Sequence, residues 1–354
     1  MNQTSVPESP AAPAATPPTG PACLCVEDVR AARHRIAGAL RVTPCQAASG
    51  LIPPTDGALW LKRDDLQITG SFKERGARHA LERLSLADRA RGVVAASAGN
   101  HALGLAYHGK ALGVPVTLVM ATTAARVKVQ RCRALGADVV LAGETFAEAT
   151  GAALALARGS GARWVHPFDD VEVMAGQGTV ALEVLEQVPD LEAIVVPVGG
   201  GGLLAGVATV MRALAPQVRV IGVEPERAPS LTRAWQAGTP ESVTVTPTLA
   251  DGLAVARVGE HSFRVLQGKV DAVVTVTEDE IARAMLRLFE GQRAVVEGAG
   301  AAGLAAVLSG RCDLLAGRRT VVLVGGGNVD ADTFSAALRR GLALDGATLS
   351  RPAA

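Results

Sequence analysis

Lys73 follows Thr69-Gly70-Ser71-Phe72, a turn in which Gly70 permits an unusual backbone and Ser71 can cap a helix. The ammonium then falls in the first turn of that helix. A cation there opposes the helix dipole, which lowers its pKa and brings the neutral amine within reach. The neutral amine is the form that Schiff-base chemistry requires. A solvated surface lysine is the plain alternative when the local sequence is read alone. A second candidate is Ser97-Ala98-Gly99-Asn100-His101. Its small residues leave backbone N–H groups open at a helix start, a cradle for a carboxylate, and Asn100 adds a side-chain donor. An ordinary turn with His101 packed in the core is the alternative there.

Two glycine turns complete the set. Gly199, Gly200, Gly201 and Gly202 run straight into Leu203, so backbone N–H groups and a helix start face one small volume. The dinucleotide fingerprint does not fit, because Leu204 stands where its last glycine belongs, and no Lys-Ser/Thr follows as a nucleotide loop requires. A single phosphate suits this loop. Gly325-Gly326-Gly327-Asn328 is the fourth turn, again without bulk. A shielded lysine, a carboxylate cradle and a monophosphate cradle together suggest a phosphorylated aldehyde cofactor working on amino acids, with pyridoxal 5′-phosphate the obvious candidate.

All four turns need a scaffold that ends strands and starts helices at one place. The chain offers short, apolar, β-branched runs at 92–97, 116–120, 139–142, 193–198, 218–223 and 320–324. They do not alternate with polar residues, which predicts strands covered on both faces. Helix-like stretches at 124–135, 145–157, 174–187 and 203–213 lie between them. This alternation predicts an α/β protein with parallel sheets, two rather than one at 354 residues, whose ligands gather at strand ends. The uncharged run 193–211 has the length of a membrane span, but Pro197 and the four glycines break it; strand, loop and buried helix is the better reading.

Composition narrows the class. Lys+Arg 35 against Asp+Glu 34 gives a net charge of +1, so no field gathers nucleic acid. Apolar residues at 49% supply a large core, and aromatics at 3% leave no stacking surface for bases. Five scattered cysteines fit a reducing compartment, and we expect a cytoplasmic protein. Residues 1–22 are rich in proline and alanine, lack the features of a signal or transit peptide, and are expected to form a disordered tail.

The segment Leu61-Lys62-Arg63-Asp64-Asp65-Leu66-Gln67-Ile68-Thr69-Gly70-Ser71-Phe72-Lys73-Glu74-Arg75-Gly76-Ala77 resembles the lysine motif of the threonine/serine dehydratase and serine racemase family. Ser97–His101, His166–Asp170, Ala175–Thr179, Gly199–Gly202, Gly222–Pro225, Ala250–Gly252 and Gly325–Asn328 follow in that family's order, so the likeness spans about Val26 to Leu342. The resemblance implies fold type II, the tryptophan-synthase-β-like architecture: two three-layer αβα domains with parallel sheets. Residues 92–165 would form a small domain inserted in a large one made of 23–91 and 166–354. It also implies that Lys73 binds pyridoxal phosphate and later takes the proton from Cα, and that Phe72 packs beside the cofactor ring. Asn100 would bond the 3′-hydroxyl, Gly199 to Gly202 with Leu203 would hold the phosphate, and Gly325 and Gly326 would border the ring. Ser97, Gly99, Asn100 and His101 would receive the substrate carboxylate. The implied reaction is loss of the β-hydroxyl from an amino acid such as L-threonine or L-serine, giving a 2-oxo acid and ammonia. A homodimer or homotetramer is implied as well.

The chain departs from the family at several points. Ala98 replaces a serine that serves the opposite face of Cα in the racemases, which argues against racemisation. A divalent cation would use Glu224 and the carbonyl of Ala228, but Ser230 stands where a second acid is expected. Gly325 replaces the serine that bonds the pyridine nitrogen, leaving water or Asn328 as substitutes, and Leu103 replaces a glutamine. From its length the chain is expected to lack the amino-acid-sensing domain of biosynthetic threonine dehydratases. Other readings are a racemase, a dehydratase of 3-hydroxyaspartate or another β-hydroxy amino acid, a β-replacement enzyme of the cysteine synthase type, and an inactive cofactor-binding relative.

Overall fold

The computed structural model describes residues 24–52 and 57–349; the expected tail at 1–22 lies outside the described residues. Among the described residues, ten strands form two sheets. They are β1 (Cys45–Ala47), β2 (Ala58–Arg63), β3 (Val93–Ala96), β4 (Val116–Met120), β5 (Asp138–Leu141), β6 (Arg163–Trp164), β7 (Ala193–Pro197), β8 (Arg219–Pro225), β9 (Ala272–Val276) and β10 (Arg319–Val324). The larger sheet runs β1-β2-β10-β7-β8-β9 and the smaller β5-β4-β3-β6. Every neighbouring pair is parallel except β1 with β2.

The missing alternation in the strands has the predicted cause. Ile194, Val196, Val321 and Leu323 face one core, filled by the helices Val171–Gln187 and Gly202–Leu214. Ala193, Val195, Val322 and Val324 face the opposite core, filled by Glu278–Gln292 and Gly298–Leu308. The smaller sheet repeats the arrangement, with Val93 and Ala95 on one side and Val94 and Ala96 on the other. Both sheets are therefore middle layers of αβα sandwiches. β5 departs from the expectation: it is an edge strand and only Val139 in it is buried. Four strands went unforeseen, among them β1 and β6, which are only three and two residues long. β2 hides its character behind Lys62 and Arg63, while β9 is a plain apolar run that carries no turn motif.

The run 193–211 is strand, glycine loop and buried helix, and no helix of the described residues is long and apolar enough to cross a membrane. The helix Lys73–Glu82 joins the two layers. Its Ala77, Ala80 and Leu81 belong to the core of the smaller sheet, while Gly76 lies against the helix Val171–Gln187 of the larger one. A Cβ on Gly76 would come within 2.7 Å of Val173 O, so only glycine allows the two helices this close.

Candidate active site

The four turns picked out by residue type come together. Ser97 follows β3, Gly199 follows β7 and Gly325 follows β10, all at the carboxyl ends of parallel strands, where ligands bind in such sheets. The lysine turn is hydrogen-bonded to the last of these. Phe72 N donates to Gly325 O at 2.9 Å, Gly327 N donates to Gly70 O at 3.0 Å, and Ser71 and Gly326 form a β-bridge. Gly70 has φ +80°, the left-handed conformation that the turn demands.

The helix starts at Lys73, and the residue before it, Phe72, makes no side-chain cap. Ser71 is not the expected cap: its hydroxyl is fully buried and has no hydrogen-bond partner. What anchors the helix start is a pair of buried charges next to the lysine. Glu74 accepts from Thr69 N and faces His108 Nε2 at 3.3 Å. Arg75 donates to Asp64 at 2.6 Å and to Glu183 at 2.6 Å, and Lys62 joins the same cluster through Glu183 at 2.5 Å. These charges satisfy one another, as buried ions must.

Lys73 itself is under-partnered. Its Nζ donates to Pro167 O at 2.8 Å and lies 5.2 Å from the centroid of the Phe72 ring. Burial pulls its pKa down to about 8, with the Glu297 carboxylate pulling the other way. Desolvation rather than the helix dipole is therefore the main reason that a neutral amine is accessible. Glu297 was not foreseen. It precedes the helix Gly298–Leu308, is buried, and accepts from Asn100 Nδ2 at 2.7 Å. Burial, and then the Asp251 carboxylate, push its pKa up to about 8. An acid directly before a charge-free Gly-Ala helix was the signal that could have found it.

Asn100 opens the helix Asn100–Leu112, with Gly99 in front of it and the Ser97 hydroxyl accepting from Gly99 N at 3.3 Å. The His101 ring is buried, with Nε2 3.4 Å from Val165 O, and burial drops its pKa to about 3. It stays neutral, so what His101 presents to this helix start is its backbone N–H. His166, also lowered to about 3 by burial and then by Lys73, accepts from the N–H groups of Phe168 and Asp169.

In the glycine loop, Gly201 takes φ +93° and precedes the helix that begins at Gly202, with Leu203 buried in its first turn. A Cβ on Gly200 would fall on the Phe168 ring, and one on Gly202 would lie 2.5 Å from Phe168 O. Close packing of Phe168 thus accounts for two of the glycines. At Gly325 a Cβ would stand 3.1 Å from the Phe72 ring, so glycine makes room for that ring. Asn328 is not free to replace the family's serine: its Nδ2 donates to Thr69 O at 2.7 Å and to Asn100 Oδ1 at 2.8 Å, which uses both its hydrogens.

Glu224 lies apart from these turns, at the end of β8. Its carboxylate accepts from Leu231 N at 2.6 Å, Thr232 N at 2.9 Å and Thr232 Oγ1 at 2.7 Å, capping the helix Ser230–Ala237. Ala228 O accepts from Ser230 N at 3.0 Å. The groups expected to hold a divalent cation thus serve a helix cap, and among the described residues no cluster of three or more His, Cys, Asp or Glu offers another site.

A buried lysine of lowered pKa, a glycine loop at a helix start and an Asn100 amide with one hydrogen to spare fit pyridoxal phosphate. The comparisons with known proteins agree. A family profile for pyridoxal-phosphate dependent enzymes matches residues 36–326. The L-threonine ammonia-lyase of Thermotoga maritima is 44% identical over 323 residues, covering 91% of this chain and 80% of that one. The processed form of threonine deaminase isoform 2 from Solanum lycopersicum superposes with a TM-score of 0.83 at 36% identity, covering 89% of this chain and 92% of that one. Serine racemase from Dictyostelium discoideum gives 0.81 at 34% identity, covering 87% and 99%. With a buried lysine between two cradles, and a family profile matching most of its length, this chain belongs to the pyridoxal-phosphate dependent enzymes.

Proposed function

We propose that this protein is an ammonia-lyase that converts L-threonine, and with it L-serine, to a 2-oxo acid and ammonia. The observation that carries the reading is Lys73: a buried amine, half neutral near pH 8, set between a glycine loop and the helix start at Asn100. Relatives and solved neighbours named as threonine ammonia-lyase or threonine deaminase support the substrate.

Phe72, Lys73, Asn100, Gly199 to Gly202, Leu203, Gly325 and Gly326 would hold the cofactor, which supplies an electron sink for charge developing at Cα. The N–H groups of Gly99, Asn100 and His101, with the Ser97 hydroxyl, would bind the substrate carboxylate and so fix which bond at Cα faces Lys73. Nζ, whose neutral form burial favours, would take the α-proton. The β-carbon then loses its hydroxyl as water, and water returning at Cα releases ammonia, so atoms balance between amino acid and 2-oxo acid plus ammonia. Racemisation needs a proton donor on the opposite face, and Ala98 has none. Ala98→Ser is expected to raise any D-serine formation; an unchanged rate would count against this assignment.

We further infer two domains, residues 92–165 with the smaller sheet and residues 23–91 with 166–354 around the larger, which close over substrate. A homodimer or homotetramer, testable by sedimentation, and a cytoplasmic location belong to the same reading; the free Cys25, Cys45, Cys132 and Cys312 are consistent with a reducing compartment. Adding L-threonine to the purified holoenzyme tests the function directly. Formation of 2-oxobutanoate with a change in the visible spectrum is expected. A spectrum that threonine leaves untouched, with no 2-oxo acid, would move the substrate elsewhere.

A further inference from the structure

We infer that Arg131 is a positioning residue for the amide of Asn100 and acts on it through Asn328, across the cleft between the two sheet layers. The inference rests on the proposed role of Asn100 in holding the cofactor. Arg131 lies on the helix Arg126–Ala134, which packs through Val129 and Cys132 on the core of the smaller sheet. Asn328 belongs to the turn after β10 of the larger sheet.

Three groups converge on the Asn328 side chain. Its Nδ2 donates to Thr69 O at 2.7 Å and to Asn100 Oδ1 at 2.8 Å, while its Oδ1 accepts from Arg131 Nη2 at 3.0 Å. A primary amide has two hydrogens and one carbonyl oxygen, so it can lie either way round in the same outline. The Thr69 carbonyl, which can only accept, and the guanidinium, which can only donate, both hold it the same way round. Turned over, the amide would set N–H against N–H at Arg131, and oxygen against oxygen at both Thr69 and Asn100. Gly70 leaves room for this side chain: a Cβ there would stand 2.9 Å from Asn328 Oδ1.

The choice passes on to Asn100. With its Oδ1 engaged by Asn328, the Asn100 Nδ2 gives one hydrogen to Glu297 at 2.7 Å and keeps one for the phenolic oxygen of the cofactor. Arg131 and Asn100 come from helices packed on the smaller sheet; Thr69, Asn328 and Glu297 come from segments at the edge of the larger. The relay is complete only when the two layers are together, so it ties the hold on the cofactor to closure. Lys128, one turn earlier on the same helix, makes a separate contact across the cleft, to Asp251 at 3.3 Å, and both of these charges act on Glu297.

The test is a double-mutant cycle on the holoenzyme, reading the dissociation constant of pyridoxal phosphate and the position of its visible band without substrate. Arg131→Ala is expected to weaken cofactor binding by about tenfold, the worth of one hydrogen bond to a charged group, and to shift the band. Arg131 is solvent-exposed and alanine favours helix, so this variant keeps the fold. Asn328→Ala is expected to weaken binding at least as much, and the double variant no more than Asn328→Ala alone. Arg131→Lys, which keeps a charged donor, should recover part of the loss. Independent, multiplying effects of Arg131→Ala and Asn328→Ala would overturn the inference, and so would an Arg131→Ala variant with wild-type band and binding. Since no substrate is used, the outcome does not depend on threonine being the natural one.

Discussion

Glu224 and Lys73 are both buried beside helix starts, and they are treated in opposite ways. Glu224 receives three hydrogen bonds, all from residues in the first turn of the helix Ser230–Ala237. Lys73 donates to one backbone carbonyl, and the nearest acid that acts on it, Glu297, is itself held at about 8 and bonded to Asn100. Both groups are shifted toward neutrality by burial, Glu224 up to about 7 and Lys73 down to about 8. The difference lies in what remains available. Glu224 is saturated by its helix and does structural work, whereas Lys73 keeps hydrogen-bonding capacity and a lone pair for chemistry. Burial alone does not mark a reactive group; burial without a full set of partners does.

Removing Lys73 is expected to break the chemistry and spare the fold. Lys73→Ala should lower lyase turnover by at least about 10⁴-fold and abolish the covalently held cofactor band, with little change in melting temperature. A variant that retained turnover would place the base elsewhere. Glu224 should show the reverse pattern. Its carboxyl titrates near 4.5 when free and about 7 in the folded protein, so the folded state prefers it protonated. That preference is fully present below 4.5 and is lost as pH rises through 7. Between pH 5 and pH 8, urea melts should move in favour of Glu224→Gln relative to wild type by up to about 3 kcal/mol, with activity retained. A pH-independent gap would show that the cap holds an ionised carboxylate.

A smaller effect is expected at the glycine loop, where the packing of Phe168 coincides with the proposed phosphate site. Gly200→Ala forces a methyl group onto the Phe168 ring and should cost about 2 kcal/mol of stability, with weaker cofactor binding as the ring is displaced. Phe168→Ala in the same background should recover part of the stability; no recovery would mean that the glycine is required for another reason. The mildest prediction concerns loading. With Lys73 titrating near 8, the rate at which the apoprotein captures pyridoxal phosphate should rise about tenfold from pH 7 to pH 9 and then level off. A surface-like lysine would go on gaining about tenfold per pH unit up to 10.

Much of this arrangement was legible from residue types. Lys73 between a glycine turn and a helix, the Ser97–His101 start and the glycine run 199–202 each carry local backbone requirements that show in sequence, and each was found at the end of a strand or beside one. Other assignments were not legible. Ser71 has the character of a cap yet sits buried without a partner, because the lysine turn is held by backbone bonds to Gly325 and Gly327 instead. His101 lies in a motif suited to binding, but its ring is packed near Val165 O.

What the sequence determined by itself is therefore most of the succession of strands and helices, the places where the backbone must turn sharply, and the lysine proposed to form a Schiff base. These follow from periodicity and from the conformational needs of glycine and apolar residues, properties that a short stretch of chain carries alone. What only the tertiary structure decided is the state of each polar group: a Lys73 amine that is half neutral near pH 8, a Glu297 carboxyl 197 residues from the Asn100 it bonds, and a Glu224 that caps a helix. Desolvation and hydrogen bonding depend on atoms brought together from distant parts of the chain, so they exist only once the two sheets have packed.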